Sequence, residues 1–167
     1  MKYATFPSPF GSCALAWNDR LLTQFDLPGF EARDHCETSL PAWIEDLMLR
    51  VQKHLGGSLQ DFSDVAYDFD RVTPFQKEVY RAALTVPAGE IRTYGWLAAK
   101  IGRANANRAV GQALGANPWP LLVPCHRFVG ANGKLTGFSA AGGIKTKQRL
   151  LRLEESAASL LTMTAAI

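Results

Sequence analysis

The residues best suited to chemistry in this sequence are the adjacent pair Cys125 and His126, in the tetrapeptide Pro-Cys-His-Arg at residues 124–127. The apolar run at 121–123 predicts a buried strand that leads into the pair. A thiol with an ordinary pKa of ~8.5 is only slightly ionised at neutral pH, so an imidazole that takes its proton makes it a stronger nucleophile. Adjacency alone is a weak signal, because a lone buried cysteine is usually a small core residue. Evidence from the rest of the sequence is therefore needed to tell whether Cys125 is a nucleophile or a core residue.

The cysteine count and the lack of a long apolar run indicate where the protein works. The three cysteines, Cys13, Cys36 and Cys125, form neither an even disulfide set nor a paired zinc pattern, which is typical of a reducing compartment. No apolar run is long enough to cross a bilayer or to form a secretory signal. We therefore expect a cytoplasmic protein with free thiols and no membrane association. His35, Cys36 and His54 match no common zinc spacing, so we assign no metal and no cofactor and expect packing or surface roles for them.

Charge is distributed unevenly along the chain. Residues 1–71 hold 6 Lys+Arg and 11 Asp+Glu, a net charge of −5, whereas residues 72–167 hold 12 and 4, a net charge of +8. A long stretch with so few acids is typical of a surface that binds a polyanion. The competing explanation is a last helix whose basic outer face is solvated. We expect nucleic acid to be the partner and predict two domains, 1–71 and 72–167.

The first half predicts a small antiparallel sheet with one helix. Apolar residues recur at helical spacing from Trp43 to Leu55, and two glycines then end the helix. We see packing in this half and no chemistry. Alternating apolar residues and turn signals predict strands at 3–6, 13–17, 21–27 and 65–69.

The second half predicts a helix-turn-helix just before the cysteine. Thr73, Pro74 and Gln76 form a capping box that starts a first helix. Thr93 caps a second helix, and Asn105 or Asn107 caps a third, so the second and third helices form the motif.

The third helix offers few groups that can read a base sequence. Apart from Arg108 and Gln112 it consists of small or apolar residues such as Ala109 and Gly111, which have no side chain to hydrogen-bond a base edge. Such a helix suits recognition by shape and deformability, with one long cation entering the base stack. Close helix packing explains the small residues about equally well.

Residues 73–154 resemble the catalytic domain of the O6-alkylguanine-DNA alkyltransferases, also called methylated-DNA–protein-cysteine methyltransferases. The first half is similar to that family's ribonuclease-H-like N-terminal domain. The resemblance implies a two-domain α+β or α/β fold, with a winged-helix-like C-terminal domain that carries the helix-turn-helix. The motifs that carry it are Pro124-Cys125-His126-Arg127, Arg108-Ala109-Val110-Gly111, Asn117-Pro118, Thr93-Tyr94-Gly95, and Gly142-Gly143 before a basic helix that ends at Glu154.

This resemblance implies direct reversal of DNA damage. The alkyl group on O6 of guanine is transferred irreversibly to Cys125, so that each molecule acts once. The sequence leaves open whether O4-alkylthymine is also a substrate. The thiol gives its proton through a water to His126, which Glu154 orients. Glu155 is the rival for that last role if the alignment slips by one residue. Arg127 is given no chemical role.

The resemblance also implies that the damaged base is flipped out through the minor groove, because O6 is hidden within the duplex. Arg108 would fill the vacated place in the stack, with Thr93, Tyr94, Ala109 and Gly111 along the DNA. Phe138 and the stretch Ser139-Ala140-Ala141 depart from the commonest family pattern, which leaves pocket width open. The residues that align with the base pocket are Tyr94, Leu114, Asn117, Leu135, Phe138 and Ser139.

Three other functions compete with repair by a monomeric alkyltransferase. A non-catalytic protein that binds alkylated bases and signals to another pathway would carry tryptophan in place of Cys125. A DNA-binding regulator would use the cysteine as a sensor, but no second helix-turn-helix is visible in the sequence. A cysteine hydrolase ranks last, because its base would be separated in sequence from the nucleophile and an oxyanion site would be recognisable.

Overall fold

A computed structural model describes residues 1–135, 140 and 142–165. The first half forms a three-stranded antiparallel sheet in the order β1-β2-β3, as predicted. The middle strand is buried on both faces: Leu15 and Trp17 face the main core, while Ala14 and Ala16 pack with Tyr3. The strands are β1 (Lys2–Ser8), β2 (Gly11–Asn18) and β3 (Leu21–Asp26).

The predicted helix of this half is confirmed as α1 (Ala42–Leu55), which ends at Gly56. Its buried positions include Leu47, Val51 and, in the last turn, His54. This face packs against the sheet, because a helix with an apolar stripe is stable only when that stripe is covered.

The predicted strand at residues 65–69 is wrong. Tyr67 forms only an isolated bridge with Leu22, and the chain then enters a 3-10 helix, Phe69–Arg71. The apolar alternation there has another cause: the rings of Tyr67 and Phe69 pack edge-on against Trp119 of the second half, with centroids 5.2 and 5.6 Å away. Aromatic packing between the two halves therefore replaces a sheet ladder.

Two of the three predicted helix caps in the second half, at Thr73 and Thr93, are confirmed. The capping box is present, since Thr73 Oγ1 accepts from Gln76 N and Gln76 Oε1 accepts from Thr73 N. The predicted side-chain cap of the third helix is wrong, because Ala106 is the N-cap and Asn105 adopts a left-handed φ of 80° in the turn. The helices are α2 (Pro74–Ala83), α3 (Tyr94–Lys100), which Thr93 caps, and α4 (Asn107–Gly115), with α3 and α4 packed as the predicted helix-turn-helix.

No strand forms at residues 121–123, although that stretch is described in full. Val123 N donates to Trp119 O and Leu121 has a φ of 78°, so the buried apolar run is a turn. Cys125–Arg127 form a 3-10 turn, and β5 (Phe128–Val129) then pairs in parallel with β4 (Arg92–Thr93). The chain then turns at Asn132, whose φ is 62°.

The last helix, α5 (Gly143–Ala165), continues well past Glu154, where the sequence predicted its end. Like α1, it contributes to one core that spans both halves of the chain. Backbone contacts also join the halves: Phe25 N donates to Pro118 O at 3.0 Å, and Trp119 Nε1 donates to Leu22 O at 3.1 Å. Among the described residues, no helix is both long and apolar enough to cross a membrane.

Candidate active site

The sulfur of Cys125 lies in a buried turn against a side-chain amide. Asn117 Nδ2 donates to Cys125 Sγ at 3.2 Å and to Val123 O at 2.9 Å. Asn117 Oδ1 accepts from Trp119 N at 2.9 Å, which fixes the amide so that its NH₂ group faces the sulfur. An N–H aimed at sulfur favours the thiolate over the thiol. The side chain of Cys125 is 4% exposed, so any substrate has to be brought to it.

His126 follows on the same 3-10 turn and is completely buried. Its Nε2 lies 2.9 Å from Glu154 Oε1, and because an ionised carboxylate only accepts, Nε2 carries the proton. Nδ1 is then the basic nitrogen of the neutral ring. Burial lowers the pKa of His126, and the Arg127 charge lowers it further, while Glu154 acts in the opposite direction. The imidazole is therefore neutral and able to accept a proton near pH 7.

Glu154 on α5 is the centre of a buried hydrogen-bond network. Arg127 donates to both of its oxygens, from Nε at 2.9 Å and from Nη2 at 2.8 Å. His54 Nε2 lies 2.8 Å from Oε2. Burial alone would raise the pKa of the Glu154 carboxyl, but His126, Arg127 and His54 together hold that pKa far below its usual range. Glu155, the rival position, is exposed.

Sequence reasoning missed two members of this network. His54 and Arg127 were assigned no chemical role, yet both bond Glu154 directly, and Arg127 also donates from Nη1 to Val86 O at 2.8 Å. A buried polar residue at an apolar helix position was the available signal for His54, since residues 47, 51, 54 and 55 all lie on the buried face of α1.

Lys147 is a basic residue of the last helix that does not lie on a solvated outer face. It is 1% exposed, and its Nζ donates to Phe128 O at 2.6 Å. Burial lowers the pKa of Lys147, and the charge of the nearby Cys125 thiolate opposes that shift. Its spacing from Leu150 and Glu154 places all three on one buried helix face, which was the available sequence signal.

The residues predicted to bind DNA lie together at the helix-turn-helix. Arg108 and Ala109 are exposed in the first turn of α4, and Thr93 and Tyr94 are half-buried at the start of α3. A side chain at Gly111 would place its Cβ 3.9 Å from the ring of Tyr94, so α3 and α4 approach closely there.

The predicted base pocket is only partly within the described residues. Leu114 and Asn117 are buried, Asn117 contacts Cys125, and Leu135 is half-buried. Phe138 and Ser139 lie outside the residues that the structure describes. Among the described residues, no group of His, Cys, Asp or Glu side chains is arranged to hold a metal ion.

Comparison with known proteins gives matches over nearly the full length. A methylated-DNA–protein-cysteine methyltransferase from Mycobacterium tuberculosis (strain ATCC 25618 / H37Rv) is 42% identical over 160 residues, which cover 95% of this chain and 94% of its own. A protein of the same name from Methanosarcina acetivorans is 39% identical over 162 residues, with 93% and 99% covered.

Solved structures also match this chain over nearly its full length. The crystal structure of Mycobacterium tuberculosis OGT in complex with DNA superposes with a TM-score of 0.80 at 41% identity and covers 94% of each chain. The O6-methylguanine-DNA methyltransferase from the archaeon Pyrococcus kodakaraensis has a TM-score of 0.71 at 26% identity, with 91% of this chain and 98% of its own covered.

A buried Cys-His-Glu set beside a helix-turn-helix is the arrangement of a DNA-binding protein that reacts through a thiol. The family profile described as "6-O-methylguanine DNA methyltransferase, DNA binding domain" matches residues 74–156, which include all three residues. The chain belongs to the family of methylated-DNA–protein-cysteine methyltransferases.

Proposed function

We propose that this protein repairs DNA by moving the alkyl group from O6 of a modified guanine to the sulfur of Cys125. The observation that carries the assignment is the position of Cys125 Sγ, which lies 3.2 Å from the fixed amide of Asn117 on the same turn as a histidine bonded to Glu154. The activity itself is that of the family to which the chain belongs.

In the proposed step, the sulfur–carbon bond forms as the carbon–O6 bond breaks. The thiol proton passes through a water to Nδ1 of His126 and ends on the guanine that leaves. Glu154 holds the imidazole and stabilises its cationic form. Asn117 and the Lys147 ammonium favour negative charge on sulfur. Because a thioether does not revert to a thiol by this route, each molecule acts once.

We propose that Arg108 fills the gap that the flipped base leaves in the DNA stack. It is exposed at the start of α4, a helix with little capacity to read base edges. Arg108→Ala should slow transfer from duplex DNA but leave transfer from a free alkylated base unchanged. An equal loss on both substrates would show that Arg108 acts on the chemistry instead.

The finer structural assignments belong to the same proposal. We infer a ribonuclease-H-like unit over residues 1–71 and a winged-helix-like unit over residues 72–167, the latter supported by the packed helices α2, α3 and α4. We also propose that the protein acts as a monomer in the cytoplasm.

The decisive experiment is to incubate the protein with duplex DNA that contains one O6-methylguanine and to weigh the tryptic peptide 109–127 by mass spectrometry. A stoichiometric methyl gain on Cys125, absent from Cys125→Ala, is the expected result. Tight binding without methyl gain would support the alternative, a protein that binds alkylated bases and signals to another pathway.

A further inference from the structure

Glu154 has a partner that comes from the other half of the molecule, 100 residues away along the chain. We propose that this partner, His54, is a positioning residue for alkyl transfer: it sets the orientation of the Glu154 carboxylate that holds His126. The inference rests on the proposed relay from Cys125 through His126 to Glu154, and it adds a fourth residue that the relay needs.

The contacts of His54 determine its tautomer. Its Nδ1 accepts the backbone N–H of Gln60 at 3.0 Å, so that nitrogen carries no proton. The ring proton is then on Nε2, which donates to Glu154 Oε2 at 2.8 Å. His54 is completely buried and its ring packs against Phe62, with centroids 5.6 Å apart. The side chain is thus a neutral donor held in a single orientation.

Each oxygen of Glu154 accepts two hydrogen bonds, one from a histidine and one from Arg127. Oε1 accepts from His126 Nε2 and Arg127 Nε, and Oε2 accepts from His54 Nε2 and Arg127 Nη2. Four donors fill the four acceptor positions of a carboxylate. The two histidines bond opposite oxygens, so His54 limits rotation of the carboxylate away from His126.

A packing role alone would not require this arrangement, since an apolar side chain fills a buried site at lower cost in desolvation. Among the described residues, the titratable and charged side chains that bond the carboxylate are His54 of α1 and His126 and Arg127 of the 3-10 turn, and Glu90 lines a cavity shared with Glu154. Asp61, after α1, is near enough to Arg127 to interact with its charge. The described residues hold no metal-binding group that would explain two histidines on one carboxylate.

Two substitutions separate the two hydrogen bonds of His54. Gln places its NH₂ group near the position of Nε2, so His54→Gln keeps a donor to Glu154. Asn places its oxygen near the position of Nδ1, so His54→Asn keeps the acceptor for Gln60 N and loses the donor. His35→Asn is the matched control, because that histidine side chain is 86% exposed.

The readout is the single-turnover rate of methyl transfer from duplex DNA as a function of pH, with thermal melting measured alongside. We expect the plateau rate of His54→Asn to fall roughly tenfold, as for the loss of a hydrogen bond to a charged group. Its acid limb should shift to higher pH, because a carboxylate with one donor fewer attracts the proton on His126 more strongly. His54→Gln and His35→Asn should keep the midpoint of the unmodified protein.

Unchanged rate and midpoint in His54→Asn would overturn the inference, as would lower melting without a midpoint shift. If His54→Asn does not fold, a shifted midpoint in His54→Gln overturns it equally. His126→Gln tests the relay separately. Methyl transfer at the normal rate in that variant would overturn the relay, and with it the role of His54. Loss of transfer in His126→Gln with unchanged rate and midpoint in His54→Asn would overturn the role of His54 alone.

Discussion

Replacing Glu154 with glutamine should destabilise the whole protein, because the substitution leaves the buried Arg127 charge without its counter-ion. Arg127 is 6% exposed and makes two of its hydrogen bonds to this carboxylate. Removal of one partner from a buried ion pair typically costs about 3–5 kcal/mol. In a chain of this size, about 1 kcal/mol corresponds to a fall of about 2–4 °C in melting temperature, so we expect a fall of about 6–20 °C.

Urea denaturation at neutral pH, followed by tryptophan fluorescence, measures this loss. Glu155→Gln is the matched control: Glu155 is exposed, and its substitution should change the free energy of unfolding by less than about 0.5 kcal/mol. A Glu154→Gln variant within about 1 kcal/mol of the unmodified protein would refute the reasoning, as would a larger effect at Glu155. Methyl transfer should be lost only in Glu154→Gln.

The loss of stability caused by Glu154→Gln should become smaller at acidic pH. His126, Arg127 and His54 outweigh the effect of burial and depress the pKa of Glu154 in the folded chain, whereas in the unfolded chain that pKa is ~4.3. A group with a depressed folded pKa contributes its full stability above the unfolded pKa and loses it as the pH falls toward the folded value. The gap in unfolding free energy between the unmodified protein and the Glu154→Gln variant should therefore be constant near neutrality and narrow below about pH 4. A gap that stays constant down to about pH 3 would contradict an ionised Glu154.

Three further outcomes follow from the site and the helix starts. Methylation of Cys125, which is 4% exposed, should overpack its turn and lower stability by about 1–3 kcal/mol, and equal melting of both forms would contradict this. Asn117→Ala leaves the buried Trp119 N–H and Val123 carbonyl without that partner, so it should cost at least about 2 kcal/mol and also slow methyl transfer in single-turnover assays. Thr73→Ala removes the N-cap of α2 and should cost about 1 kcal/mol in urea denaturation, while a change in transfer rate would show an unexpected link to the site.

Local signals predicted the parts of the fold that local physics determines. The three strands, α1, the capping box at Thr73 and the cap at Thr93 all depend on residues close in sequence, and all are present. The predicted strand at 65–69 failed because its alternation serves contacts with Trp119, far along the chain. An apolar run such as 121–123 cannot by itself distinguish a buried strand from a buried turn.

In the candidate site too, some residues could be recognised from the sequence and others depend on contacts made only in the folded protein. Cys125 and His126 stand out because they are adjacent, and Glu154 was assigned by resemblance. His54, Arg127 and Lys147 gain their partners only through tertiary packing. For His54 and Lys147, the apolar periodicity of α1 and α5 was the one sequence signal that indicated burial.

The backbone bonds between the two halves bear directly on the thiol. Phe25 N donates to Pro118 O, and Trp119 Nε1 donates to Leu22 O. β3 is therefore bonded to the two residues that follow Asn117, whose amide faces the sulfur. A change in β3 therefore reaches the sulfur of Cys125 through a few bonded groups, without passing through α3 or α4. We therefore expect a substitution in β3 to change how readily the cysteine reacts more than it changes the binding of DNA.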